Sequence, residues 1–219
     1  MPLRSITRAE RKLETRAAII DAAARLFVRN GIEATSIDAI AASIGLTKGA
    51  VYASFGSKHE LIEAVADQYS APADVSPLLR PDLSLAERLR LFARGVYATL
   101  QGASRLQLLL DFEYAVYAMR NKRWARLIRV GGTAERRELA ARFHAVNLVR
   151  SEHPPLGAEA FLTILTVAAR GVVQQFALDP ASLRESALET FFALLAAQPE
   201  DVNRERPSRH SRRKPPKRH

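Results

Sequence analysis

The sequence predicts an all-α protein in two parts, a small N-terminal helical domain and a larger helical body. Three observations carry this. Apolar residues recur at three- and four-residue steps, as in Ile20, Ala23, Ala24 and Phe27, which is the spacing of one buried helix face. No stretch alternates apolar and polar residues as a half-buried strand would, and no internal repeat occurs. Glycine and proline punctuate the helical runs at Asn30-Gly31, Gly45, Pro72, Pro77, Pro81, Pro154-Pro155 and Pro180, cutting the chain into helices of ordinary length.

Composition narrows the function. A chain of 219 residues, 47% hydrophobic and 26% charged, has the make-up of an ordinary soluble protein. It has no cysteine, which excludes a disulfide framework, a thiolate metal site and a thiol nucleophile. The N-terminus lacks an apolar core of signal-peptide length, and no uninterrupted apolar run approaches about 18 residues; a cytoplasmic protein without a membrane partner is expected. His59, His144, His153, His210 and His219 show no metal-ligand spacing. No nucleophile motif or phosphate-cradling glycine loop accompanies them. No enzyme, cofactor or metal is therefore expected. The net charge of +10 is concentrated at the ends. Residues 1–58 carry nine Lys/Arg against five Asp/Glu, and residues 199–219 eight against three. Such ends suit a polyanion.

Taken in order, residues 1–12 read as a flexible basic arm holding Arg4, Arg8, Arg11 and Lys12. A first helix follows from about Leu13 to Arg29 and stops at Asn30-Gly31. Ser36 can cap a second helix, because its hydroxyl can accept from an unpaired amide of the first turn. Ile37, Ile40, Ala41 and Ile44 form its buried face, and Gly45 sits where the chain must turn. Thr47 can cap a third helix whose Val51 and Phe55 face inward. That leaves Lys48, Gly49 and Tyr52 on the opposite side. Residues 36–55 thus read as a helix-turn-helix, in which the second helix enters the major groove N-terminus first. Lys48 can then reach a guanine edge or a phosphate, and Tyr52 a phosphate. Gly49 costs about 1 kcal/mol against Ala inside a helix, a cost that close approach of DNA would explain. A fourth helix, Ser57 to about Ser70, starts with Lys58, a cation in a helix N-terminal turn, which a phosphate would match.

Through these residues the chain resembles the TetR family of transcriptional regulators. The family pattern appears as Ser36, Ile40, Ala41, Gly45, Leu46, Thr47, Lys48, Gly49, Val51, Tyr52, Phe55 and Lys58, within a resemblance covering roughly the first 70 residues. The resemblance implies a three-helix DNA-binding domain over residues 13–71. Its DNA contacts would come from Ser36, Thr47, Lys48, Gly49, Tyr52, Ser54 and Lys58. One departure is Ala53-Ser54, where many members carry larger aromatic or His residues; Ser54 retains only a phosphate contact.

The prolines after residue 71 mark a linker, and the body spans 82–198. Its expected helices are Ser84–Leu100, Ser104–Asn121, Trp124–Arg150 (broken or kinked at Gly131-Gly132), Ala158–Leu178 and Ala181–Ala197. Aromatics with polar handles in this region, Phe92, Tyr97, Phe112, Tyr117 and Trp124, are candidates for a small-molecule effector pocket, and equally for plain core. The apolar faces of the last two helices, with Phe161, Leu165, Ala168, Val172, Phe191 and Leu195, suit packing within one subunit. The family resemblance implies instead that they pair with their copies in a homodimer, which would read two half-sites of a palindromic operator. Residues 199–219 read as a disordered basic tail. The expected function is a ligand-responsive repressor. The alternatives are a non-sequence-specific nucleic-acid-binding protein driven by that tail, or an all-α carrier or enzyme.

Overall fold

The computed structural model describes residues 7–69 and 73–196, apart from the side chains of 127–133. These residues form nine α-helices and no strand. The helices are α1 Arg8–Asn30, α2 Ile37–Ser43, α3 Lys48–Phe55, α4 Lys58–Tyr69, α5 Leu85–Gly102, α6 Arg105–Arg120, α7 Lys122–Val149, α8 Ala158–Leu178 and α9 Glu185–Leu194. Short 3-10 turns at Ser76–Leu79 and Pro180–Ser182 precede α5 and α9.

Local caps explain most of these limits. Thr7 Oγ1 accepts from the Glu10 amide at 3.2 Å while Glu10 accepts from the Thr7 amide at 2.7 Å. This capping box, worth about 1 kcal/mol, starts α1 at Arg8 rather than near Leu13. Arg8, Arg11 and Lys12 therefore ride on a helix and are not part of an arm; Arg4 and the basic tail lie outside the described residues. Ser84 with Glu87 and Ser104 with Gln107 form the same box at the starts of α5 and α6. Asn121 caps α7, its side-chain oxygen accepting from the Trp124 amide at 3.0 Å. Two expectations are corrected. α7 passes through Gly131-Gly132 without a break: the glycine pair costs about 2 kcal/mol, and burial of Trp124, Ala140 and Phe143 on either side holds the helix. The last helix is shorter than 181–197, because Asp179 caps the 3-10 turn by accepting from the Ala181 amide at 3.2 Å.

Two apolar cores result. The first gathers Ile19, Ala23 and Phe27 of α1, Ile40 of α2, Val51 and Phe55 of α3, and Leu61 and Val65 of α4. Leu110 of α6 and Trp124 of α7 join it, so the body reaches into the N-terminal domain. The second unites Leu89, Phe92 and Val96 of α5 with Phe143, Phe161, Leu165, Phe176 and Phe192 of α7–α9. Burying each large side chain contributes about 1.5–3 kcal/mol. At the edge of the second core Arg88 is fully buried. Its guanidinium donates to the Leu78 carbonyl at 3.0 Å, Asn147 Oδ1 at 2.6 Å and Glu152 Oε2 at 2.7 Å. It ties the proline-rich segment, α5 and the end of α7 together.

α8 has two faces. Phe161, Leu165, Val172 and Phe176 are buried, whereas Ile164, Val167 and Leu178 are exposed. By length and composition alone α8 is apolar enough to cross a bilayer, although no uninterrupted apolar run was expected to suffice. Glu159 and Arg170 interrupt it, and one of its faces belongs to the second core.

Candidate nucleic-acid interface

α2, the turn and α3 are set by contacts within a few residues. Ser36 Oγ accepts from the Ala39 amide at 3.1 Å, and Thr47 Oγ1 from the Ala50 amide at 3.2 Å. Between the helices Gly45 takes φ +67°, left-handed backbone that a side chain would strain. The turn closes with the Leu46 amide donating to the Ala41 carbonyl at 2.9 Å. Ile40, Ala41, Val51 and Phe55 are then all at most 3% exposed. They seat α3 on α2 and α1, with its other side facing out.

On that outer side lie Thr47, Lys48, Gly49 and Tyr52, all exposed. A Cβ on Gly49 would meet only Thr47 Oγ1, at 3.9 Å. Nothing inside the chain demands glycine there. Lys48 has a partner that the sequence did not reveal: its Nζ lies 2.8 Å from Asp38 Oδ2, in the first turn of α2. The hydrogen bond to Asp38, followed by its charge, pushes the Lys48 pKa up, so Lys48 stays cationic. Lys58 is anchored too, its Nζ donating to the Glu33 carbonyl at 3.1 Å. Partial burial pulls its pKa down, against a smaller upward pull from Glu33.

Ser36 is exposed at the start of α2, and Ser54 is half-buried near the end of α3. Ser54 donates its hydroxyl to the Ala50 carbonyl at 3.1 Å, leaving only acceptor capacity outward. Its own carbonyl accepts from Arg16 Nη1 at 2.8 Å, and the Arg16 guanidinium lies 4.1 Å from the centre of the Phe55 ring. Arg16 thereby holds the C-terminal end of α3 from α1. Sequence reasoning singled out neither Arg16 nor Asp38. Thr15-Arg16 lay inside the family resemblance, and an acid ten residues before Lys48 gives no local signal. Five of the seven proposed DNA-contact residues, Ser36, Thr47, Lys48, Gly49 and Tyr52, are thus exposed at the ends or on the outer side of α2 and α3, while Ser54 and Lys58 are half-buried.

The body residues distribute differently. Phe92 is buried in the second core against Phe192, with ring centres 5.7 Å apart. Tyr97 packs at that core's edge, and Phe112 is half-buried on α6. Tyr117 and Trp124 belong to the first core, their rings 5.8 Å apart. These five candidate pocket residues therefore do not converge on one site, because α6 and the start of α7 turn toward α1 and α4. His59 packs edge-on against Trp124 at 5.1 Å. Tyr114 donates to the Ile62 carbonyl at 3.1 Å, and burial pushes its phenol pKa well above the ordinary range. Burial also raises the Asp111 pKa, against the opposing pull of Arg170. A cleft of about 250 Å³ lies between the α1–α2 turn and α6, lined in part by Glu33, Glu113, Tyr117 and Arg120.

The expected dimer face is likewise corrected. Phe161, Leu165 and Val172 are buried in the chain's own second core, and Ala168 and Leu195 are half-buried against it. Of the six only Phe191 is exposed. A helix packed on one side presents its opposite side, so the apolar residues left outward are Ile164, Val167 and Leu178 of α8 with Phe191 and Leu194 of α9.

The N-terminal domain matches a known family. Residues 19–65 match the family described as bacterial regulatory proteins, tetR family. The chain is 42% identical over 79 residues to the uncharacterized HTH-type transcriptional regulator TtgW of Pseudomonas putida, covering 36% of this chain and 57% of that one. It is 40% identical over 72 residues to the regulator SrpR of Pseudomonas putida, a third of each chain. The chain thus spans a third to just over half the length of these curated relatives. Among solved structures, Salmonella enterica GusR aligns over 87% of this chain and 98% of its own, with TM-score 0.65 and 22% identity. NalD of Pseudomonas aeruginosa, described as the secondary repressor of the MexAB-OprM multidrug efflux pump, aligns over 88% and 96% with TM-score 0.59 and 23% identity. At such identities the likeness is one of fold.

Proposed function

We propose that this TetR-family chain is a cytoplasmic transcriptional regulator, most simply a repressor, acting as a homodimer on a palindromic operator. The observation that carries the reading is the outward edge of α3. Lys48, Gly49 and Tyr52 are exposed on a helix whose other side is locked into a core. The glycine there has no intramolecular reason to be one. In this reading Thr47, Lys48, Gly49 and Tyr52 meet the major groove, while Ser36, Ser54 and Lys58 hold the phosphate backbone. The homodimer is supported by the unpartnered apolar residues Ile164, Val167, Leu178, Phe191 and Leu194, and by the need of a short reading helix for a second half-site about 34–36 Å away. A small-molecule effector in the body favours a spacing of the two α3 helices that no longer fits those half-sites. Operator and effector then weaken each other by the same factor.

Selection of bound fragments from random duplex DNA tests the reading directly. It should recover a palindrome with half-sites about one helical turn apart. Recovery of no common sequence would overturn the regulator reading, and recovery of a single, unrepeated half-site would overturn the dimer. Val167→Glu should convert the dimer to monomer in sedimentation and leave helix content unchanged.

A further inference from the structure

We infer that the α6–α7 corner is an auxiliary DNA-backbone surface. Its exposed cations Arg120, Lys122, Arg123 and Arg126 take phosphates of the duplex just outside the half-site that α3 reads. The inference rests on the regulator reading and extends its footprint beyond the helix-turn-helix.

Four cations fall within seven residues here, and each is exposed. Among the described residues none of the four has a carboxylate within ion-pair distance. The placement of Lys122 and Arg123 also runs against helix stability. α1, α2, α4, α5, α8 and α9 each carry an acid in the first turn, where the helix dipole favours negative charge. α7 carries Lys122 and Arg123 there and no acid, whereas α3 and α6, the other two helices without a first-turn acid, carry a single cation each, Lys48 and Arg105. An external anion would offset that disadvantage.

The corner is also in the right place. Trp124, between Arg123 and Arg126 in sequence, is buried against His59, the residue next to Lys58. Arg120 lines the same cleft as Glu33, whose carbonyl holds Lys58 Nζ at 3.1 Å. The basic corner is thus pinned to the end of α4 that carries Lys58, and a duplex strand leaving Lys58 passes beside it. Glu33 and Glu113 line that cleft as well, so Arg120 is the least free of the four cations. Lys122 and Arg123 carry most of the contact.

The test uses the full chain with Arg120→Gln, Lys122→Gln and Arg123→Gln combined, and a fluorescent 40-bp duplex of random sequence titrated across salt. Each lost phosphate contact removes about 0.9 from the salt slope, so the triple variant should flatten it by about two to three. The comparison variant is Arg136→Gln with Arg137→Gln, exposed on the same helix about 20 Å further along; its slope should not move. An unchanged slope in the triple variant, or an equal change per charge in both variants, would overturn the inference and leave the regulator reading intact. Failure of the wild-type chain to bind any duplex would sink both. Should the triple variant not fold, Lys122→Glu alone should still weaken duplex binding at least threefold, and no change would count against the corner. Tighter retention of single-stranded RNA or anionic vesicles than of duplex by the same four cations would also overturn it.

Discussion

The two cores of this molecule are held by different means. The helix-turn-helix in the first is built by short-range devices, with Ser36 and Thr47 capping their own helices and Gly45 making the turn, although Leu110 and Trp124 reach the same core from the body. The second is held by pieces far apart in sequence, with Arg88 joining Leu78, Asn147 and Glu152 across up to 64 residues. A reading head whose parts must keep fixed offsets benefits from local determination. The body's core is decided by long-range packing.

The contrast is sharpened most by breaking the buried knot. Arg88→Ala strands Glu152 and the Leu78 carbonyl and should cost about 3–5 kcal/mol of stability, measured by urea denaturation. If the loss were under about 1 kcal/mol, the second core would not depend on the knot. Next comes Gly49→Ala, which fits the fold without a clash. It should raise stability by about 0.5–1 kcal/mol while weakening duplex binding; loss of stability would mean that glycine serves the fold instead. Smaller effects fall on the two anchored lysines. Lys58→Ala should flatten the salt slope on any duplex by about 0.9. Asp38→Asn should release Lys48 and steepen the slope on random duplex by a similar amount. An identical gain when Lys48 is already Ala would assign the effect to the lost acid alone.

The smallest effect concerns the segment between the cores. Hydrogen bonding to Arg80 is the main cause that holds the Asp82 pKa at about 2, below the ordinary 3.8. A depressed carboxylate pKa contributes stability that is complete above the unfolded value and fades as pH falls from about 4 through 2. Asp82→Asn should lower urea midpoints slightly at neutral pH and leave them unchanged below about pH 2, where wild-type Asp82 is itself protonated.

The helix-turn-helix was readable residue by residue because its signals act over three or four positions. Val51 and Phe55 are buried and Tyr52 is exposed, as their spacing required. The starts of α4–α8 were readable to within two residues for the same reason. Trp124 shows the limit: an aromatic at helical spacing announces burial without saying which core receives it. Phe161 and Leu165 show it again, since α8 is apolar on both faces and periodicity cannot tell inside from outside there.

By itself, then, the sequence determined the all-α class, the caps and turns, and the exposed edge of α3, because each follows from dihedral preferences and hydrogen bonds between near neighbours. Only the tertiary structure decided that α7 runs unbroken through Gly131-Gly132, that Lys48 pairs with Asp38, and which stripe of α8 is left exposed. Those depend on which distant surfaces meet, and apolar contact and charge are indifferent to separation along the chain.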